Sequence, residues 1–287
     1  MTRTRGLLTA AVPLILMAGC ARPGEAGSAA EPVTESAAAT PAVLVRIAQE
    51  GGFVPANYAY GRLPDITVYA DGRVISNGPV PMIHPGPALP NVLVAQITPA
   101  RAQQWADDAL KAGVKSGADL GTPGITDIPD TVITATSQGR TETVRVNALR
   151  QARPDDPNLT ADQRAARKKL VAYADALTGF AAETGSPAPA AYRPVTLVAL
   201  VEQYVPGDAK QEERAWPGPA LPGEELNPGT GLHCVAVTGA AKDLVQAAAE
   251  KANQLTPWTS GGKQWRVTFR PLLPEETGGC AALKGAR

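Results

Sequence analysis

Histidine and cysteine are the side chains best suited to chemistry in this chain, and their spacing decides what they can do. His84 stands between Ile83 and Pro85, and His233 immediately precedes Cys234. Neither histidine has a partner at helical spacing, and no H-E-x-x-H zinc motif occurs. A G-x-S-x-G nucleophile elbow and a G-x-x-x-x-G-K-[ST] phosphate loop are also missing. Gly229-Thr230-Gly231 begins like a dinucleotide turn, but Cys234 stands where the third glycine would be needed. A thiol beside an imidazole could be activated as a nucleophile. Neighbours on a strand, however, point to opposite faces, which separates His233 from Cys234. Carboxylates occur as Asp107-Asp108, Asp127 with Asp130, Asp155-Asp156 and Glu212-Glu213. Adjacency does not set two of them across a cleft, as glycoside hydrolysis requires. The sequence therefore offers no convergent catalytic set, no cofactor motif and no metal-ligand cluster. An enzyme would need a pocket that gathers His84 or His233 with a carboxylate.

The cysteines point to location instead. Arg3 and Arg5 precede an apolar run over residues 6–17, and Leu16-Met17-Ala18-Gly19-Cys20 closes it. Positive start, short apolar core and small residues before a cysteine make a secretory signal. Its end resembles a bacterial lipobox, which implies cleavage after residue 19 and a diacylglycerol on the Cys20 sulfur. The run is too short to span a bilayer, which takes about 20 apolar residues. The expectation is a membrane partner reached through a lipid anchor on Cys20, at the extracytoplasmic face of the cell membrane. Residues 20–41 are rich in Ala, Pro, Gly, Ser, Thr and Glu and cannot bury a core. They read as a disordered tether reaching roughly 25 Å. With Cys20 acylated, Cys234 and Cys280 remain as an even pair in an oxidising compartment, and a disulfide between them is predicted.

Charge excludes one class of partner. The chain carries 27 basic and 27 acidic residues, and no basic stripe interleaved with aromatics suggests nucleic acid. Arg164, Arg167, Lys168 and Lys169 fall on a predicted helix and read as a solvated face.

The elements that position these residues follow from periodicity. Val43, Val45 and Ile47 alternate as a strand. Residues 66–70 and 73–76 flank Asp71-Gly72, the signature of a tight hairpin. A proline-rich loop over 79–90 leads to a strand at 92–97. Thr98 then caps a helix expected from Pro99 to Lys111, with Gly113 to end it. A second hairpin pairs 131–136 with 143–148 across Gln138-Gly139. Thr160 and Gln163 form a capping box before a helix with an apolar stripe at Ala166, Leu170, Tyr173, Ala174, Leu177 and Ala181. Beyond it, residues 195–205, 232–238 and 264–270 read as strands and 240–255 as a helix. The fold class is α+β, as two small modules, each an antiparallel sheet packed on one or two helices. Their expected limits are 42–184 and 192–287, joined by a linker over 185–191 and preceded by the signal at 1–19.

Two further features bear on binding. The segment P-G-P-A-L-P occurs at 85–90 and again at 217–222. Duplication of one module would explain it, as would coincidence in a chain rich in these residues. His84 beside the first copy and Trp216 beside the second are the candidate ligand-surface residues, since tryptophan is over-represented at binding hot spots. Trp265, on a strand, reads as core.

Gly51-Gly52-Phe53, Leu63-Pro64, Tyr69-Ala70-Asp71-Gly72-Arg73-Val74-Ile75, the stretch 84–91 and Arg270-Pro271-Leu272-Leu273-Pro274-Glu275-Glu276 together resemble uncharacterised actinobacterial secreted lipoproteins. That resemblance implies fold and location and transfers no functional residue. In the first half, Gly-Gly-Phe after an opening strand, then a helix, a hairpin and a closing helix, is similar in outline to emfourin-type metalloprotease inhibitors. The expected function is a non-catalytic binding module for an envelope component or another exported protein; the alternative is inhibition of secreted metalloproteases.

Overall fold

Runs of Val, Ile and Thr assemble into two sheets in the computed structural model, which describes residues 40–180, 188–207 and 210–284. Cys20, the signal and most of the tether lie outside the described residues. In the first sheet β1 (Val43–Glu50) lies between β2 (Ile66–Tyr69) and β5 (Asp130–Ser137), antiparallel to both. β3 (Arg73–Asn77), β4 (Val92–Gln96) and β7 (Ala190–Ala191) extend one side, and β6 (Arg140–Asn147) the other. The Asp71-Gly72 hairpin forms as expected. Gly72 has φ +86°, and a Cβ there would stand 2.1 Å from the Ile97 carbonyl oxygen, so no other residue fits. Gln138 and Gly139 turn the second hairpin, both with positive φ.

Two helices cover this sheet. α2 (Pro99–Ala112) starts where the Thr98 hydroxyl accepts from the Arg101 N–H and stops at left-handed Gly113. α3 (Ala161–Gly179) opens with the Thr160–Gln163 capping box. Trp105, Ala106, Ala109, Leu170, Tyr173 and Leu177 meet Val45, Ile47 and Ile133 in one core. Ala181 of the expected stripe lies outside the described residues. The solvated-face expectation fails at Arg167, which is 4 % exposed and donates to the carbonyls of Leu120, Asn147 and Ala148. Its stem runs inward from the helix, and backbone oxygens replace water around the guanidinium.

The second sheet has the order β10 (Glu224–Asn227), β11 (Leu232–Thr238), β8 (Thr196–Gln203), β13 (Lys263–Pro271), β12 (Trp258–Ser260), β9 (Arg214–Ala215). All of its pairs are antiparallel except β12 with β9. Both faces are covered, which explains the unbroken apolar run of β8. One face packs Ala199, Val201, Val237 and Phe269 against Val245 and Ala249 of α4 (Gly239–Ala249). On the other, Val198, Leu200 and Leu232 meet Leu272 and Leu283, the last on α5 (Ala281–Lys284). The structure is thus α+β with two antiparallel-rich sheets.

The sheets share contacts. Leu63, Tyr69, Ile75 and Val92 of the first pack with Leu273 from the segment after β13. The Tyr69 hydroxyl donates to Glu275 at 2.6 Å, and Arg46 pairs with the same carboxylate. The short helix α1 (Ala56–Gly61) sits against β8 and β13. In the span expected as a linker, Ala190–Ala191 form β7 on the edge of the first sheet, while residues 185–187 lie outside the described residues. Both copies of P-G-P-A-L-P pack on the second core, through Ala88 and Leu89 from the first and Leu221 from the second. The sheets around them differ in strand order, so the repeat marks two contacts with one core rather than two equivalent modules.

Candidate functional site

The loop joining β3 to β4 carries the sequence candidate His84 and is clamped at both ends. At its start the Gly78 N–H donates to the Asn91 carbonyl at 2.8 Å, and the Asn91 side-chain amide donates to the Pro79 carbonyl at 2.9 Å. A Cβ on Gly78 would come within 2.5 Å of that amide, so glycine admits the clamp. At its far end the Gln254 N–H donates to the Gly86 carbonyl at 2.9 Å and the Ala88 N–H to the Ala252 carbonyl at 3.2 Å. These bonds dock residues 86–88 just beyond α4. The helix was expected to continue to residue 255; it stops at Ala249, and turns over 250–256 receive the loop.

Between the clamps the chain projects apolar side chains. Val80 is 65 % exposed, Met82 fully and Ile83 63 %, with His84 exposed beside them. Prolines at 79, 81 and 85 fix φ through this stretch and lower the entropy of holding it in one shape. Sequence reasoning singled out His84 and passed over its apolar neighbours. The available signal was a set of large apolar residues in a proline-rich loop with neither helical nor strand period.

Trp216 must be corrected. It is 8 % exposed, and its indole N–H donates to the Pro219 carbonyl at 2.6 Å. Its ring lies 5.6 Å from Trp258 and 6.2 Å from Phe269, in the centre of the second core. It positions the second proline loop and is not part of a ligand surface. Trp265 is half-buried against the same core. Cys234 and Cys280 are bonded, with Cα atoms 6.0 Å apart, and pin the start of α5 to β11. Among the described residues no group of three or more His, Cys, Asp or Glu could hold a metal ion.

A cleft of about 740 Å³ opens at one end of the second sheet, lined by His233, Glu202, Lys263, Ser260 and Trp265 among others. It does bring an imidazole and a carboxylate to one rim. Yet His233 lies opposite Val201 in the β8–β11 register, and Glu202 follows Val201 on its strand. Alternation sends the Glu202 side chain to the other face of the sheet. Among the described residues the only polar contact of the ring is Nδ1 with the Gly231 carbonyl at 3.0 Å. The pair is therefore not assembled for proton transfer, which requires hydrogen-bond reach.

No family model, curated protein or solved structure matches this chain.

Proposed function

We propose that the protein is a lipid-tethered, extracytoplasmic binding module that grips another exported protein with the loop over residues 79–84. The observation that supports this reading is the exposure of Val80, Met82 and Ile83 on a loop clamped at both ends. Grouped apolar side chains on a surface mark interaction sites, and clamping removes part of the ordering cost of binding. The lipobox at Cys20 supplies the tether.

A photo-crosslinking side chain at Met82, in cells that make the full chain, tests the reading. The expected result is one discrete adduct, absent when the probe replaces Lys169 on α3 and lost when Val80→Ser and Ile83→Ser are added. Equal labelling from both positions, or none from 82, overturns it.

A second reading, inhibition of a secreted metalloprotease, draws support from Phe53. It is 90 % exposed directly after Gly51 and Gly52, both with positive φ, where β1 ends. The full chain added to secreted metalloproteases would lower their rates, and Phe53→Ser would restore them. A module that only binds leaves those rates unchanged.

A further inference from the structure

A second cleft, of about 660 Å³, lies between α3 and the segment that follows β6. Its volume is that of a small-ligand site. Arg150, Arg153, Arg164, Arg167 and Lys168 line it, and no carboxylate does. Arg150 and Arg153 are paired outward, with Asp175 and Asp155. The other three cations make no ion pair among the described residues. Among the described residues Arg167 donates only to carbonyls, at 2.7 Å to Asn147, 2.8 Å to Ala148 and 3.2 Å to Leu120. Arg164 donates to the carbonyls of Leu159 and Asp156. Carbonyl bonds fix a guanidinium in place without cancelling its charge. Lys168 is exposed and makes no ion pair among the described residues.

The carboxylate nearest this floor, Asp156, is buried, and its Oδ1 accepts from the Asn158 N–H. Its field favours the charged form of Arg167, but it makes no salt bridge with it. Among the described residues three carboxylates thus stand around five cations, an excess of positive charge over a preorganised floor. The remaining wall is apolar, with Leu149, Leu159 and Val171. A purely inorganic anion would leave that wall idle, and a neutral apolar ligand would leave the guanidinium charges unanswered.

We propose that this cleft binds an anionic amphiphile, a phosphate or carboxylate carried on an apolar body. The head group meets Arg164, Arg167 and Lys168, and the body lies along Leu149, Leu159 and Val171. The proposal is independent of the loop at 79–84 and survives its failure.

Calorimetric titration of the full mature chain with dodecyl phosphate, dodecanoate, inorganic phosphate and dodecyltrimethylammonium, each below its micelle concentration, tests it. Either anionic amphiphile should bind at least about 10-fold more tightly than inorganic phosphate or the cationic amphiphile, a difference of about 1.4 kcal/mol. Lys168→Glu should weaken that binding about 5-fold or more, a loss typical of a charge-assisted contact. Ala165→Trp, at an exposed position of α3, should abolish it by filling the cleft. Unchanged thermal melts in both variants establish that they fold. Equal affinity for the cationic amphiphile, equal affinity for inorganic phosphate, or indifference to both substitutions overturns the proposal.

Discussion

Arg167 is held in the interior by the carbonyl oxygens of Leu120, Asn147 and Ala148. Burial pushes its pKa down from the ordinary arginine range, and the field of Asp156 opposes that shift. Arg167→Met would take the guanidinium donors from these carbonyls, of which that of Ala148 keeps others, the Gln151 and Ala152 N–H groups, and should cost about 1–3 kcal/mol. The check is a lower urea midpoint at unchanged slope. A second buried cation, Arg270, makes two bonds to Glu276, at 2.8 and 2.7 Å, and the Leu273 N–H joins them. Glu276→Ala strands that charge and should cost about 3–5 kcal/mol. Two tyrosines bond to the same segment: Tyr69 to Glu275 and Tyr192 to the Leu272 carbonyl. Burial pushes the Tyr192 hydroxyl up to about 12, and Tyr69 up as well. The folded state thus keeps protons that the unfolded chain releases near pH 10. Their contribution is complete below pH 10 and is lost as pH rises from there toward 12. Denaturant midpoints should fall across that window, and Tyr69→Phe with Tyr192→Phe should flatten the fall. None of this was legible beforehand. Arg167 reads as exposed in its helix pattern, and its carbonyl partners lie at least 19 residues away. Tyr69 and Glu275 stand 206 residues apart, and nothing in the spacing of Arg270 and Glu276 marks them as buried.

Elements were legible wherever they carry their own punctuation. Thr98, Gly113, the Thr160–Gln163 box and the glycine hairpins set the limits of α2, the start of α3 and the turns between β2 and β3 and between β5 and β6. α1 was missed because it is a short helix with no side-chain cap. β7, β9 and β12 were missed because strands of two or three residues have no period, and only a neighbour defines them. The loop at 79–84 was read as a loop, but its clamps at Asn91 and Gln254 are tertiary. The Cys234–Cys280 bridge was predicted from compartment and parity, and it is present. It closes a separation of 46 residues, for which chain entropy gives about 4 kcal/mol. Cys234→Ala with Cys280→Ala should lower the melting temperature, and reductant should reproduce the shift in the unmutated chain alone. An unchanged melt would mean that packing of Leu283 suffices to hold α5.

For the whole molecule, the proposed tether and the contacts shared by the two sheets make separate predictions. Cys20→Ala should release the chain from the membrane or leave an uncleaved precursor. A membrane-bound product of mature size would remove the anchor reading. Residues 42–184 expressed alone should expose Tyr69, Ile75 and Val92, whose cover includes Leu273, and should leave Ala88 and Leu89 without the second core. Such a fragment should melt without a sharp transition, measured by circular dichroism against the full chain. Two antiparallel-rich sheets were legible in the α+β pattern, whereas the cluster that joins them was not, because its members stand some two hundred residues apart.

The position of β13 has a consequence for biogenesis. Among the described strands it comes last in chain order, yet it lies inside its sheet, between β8 and β12. A nascent chain can pair β8 with β11 early, but the other border of β8 stays open through the elongation of α4 and β12. That border belongs to Leu197–Val201, apolar on both faces, and an open apolar edge invites pairing with other chains. Emergence of β13, rather than any earlier event, therefore sets the moment of closure. Until then that border is open to other chains, and a chain that stops before Lys263 should yield aggregate rather than a shortened protein.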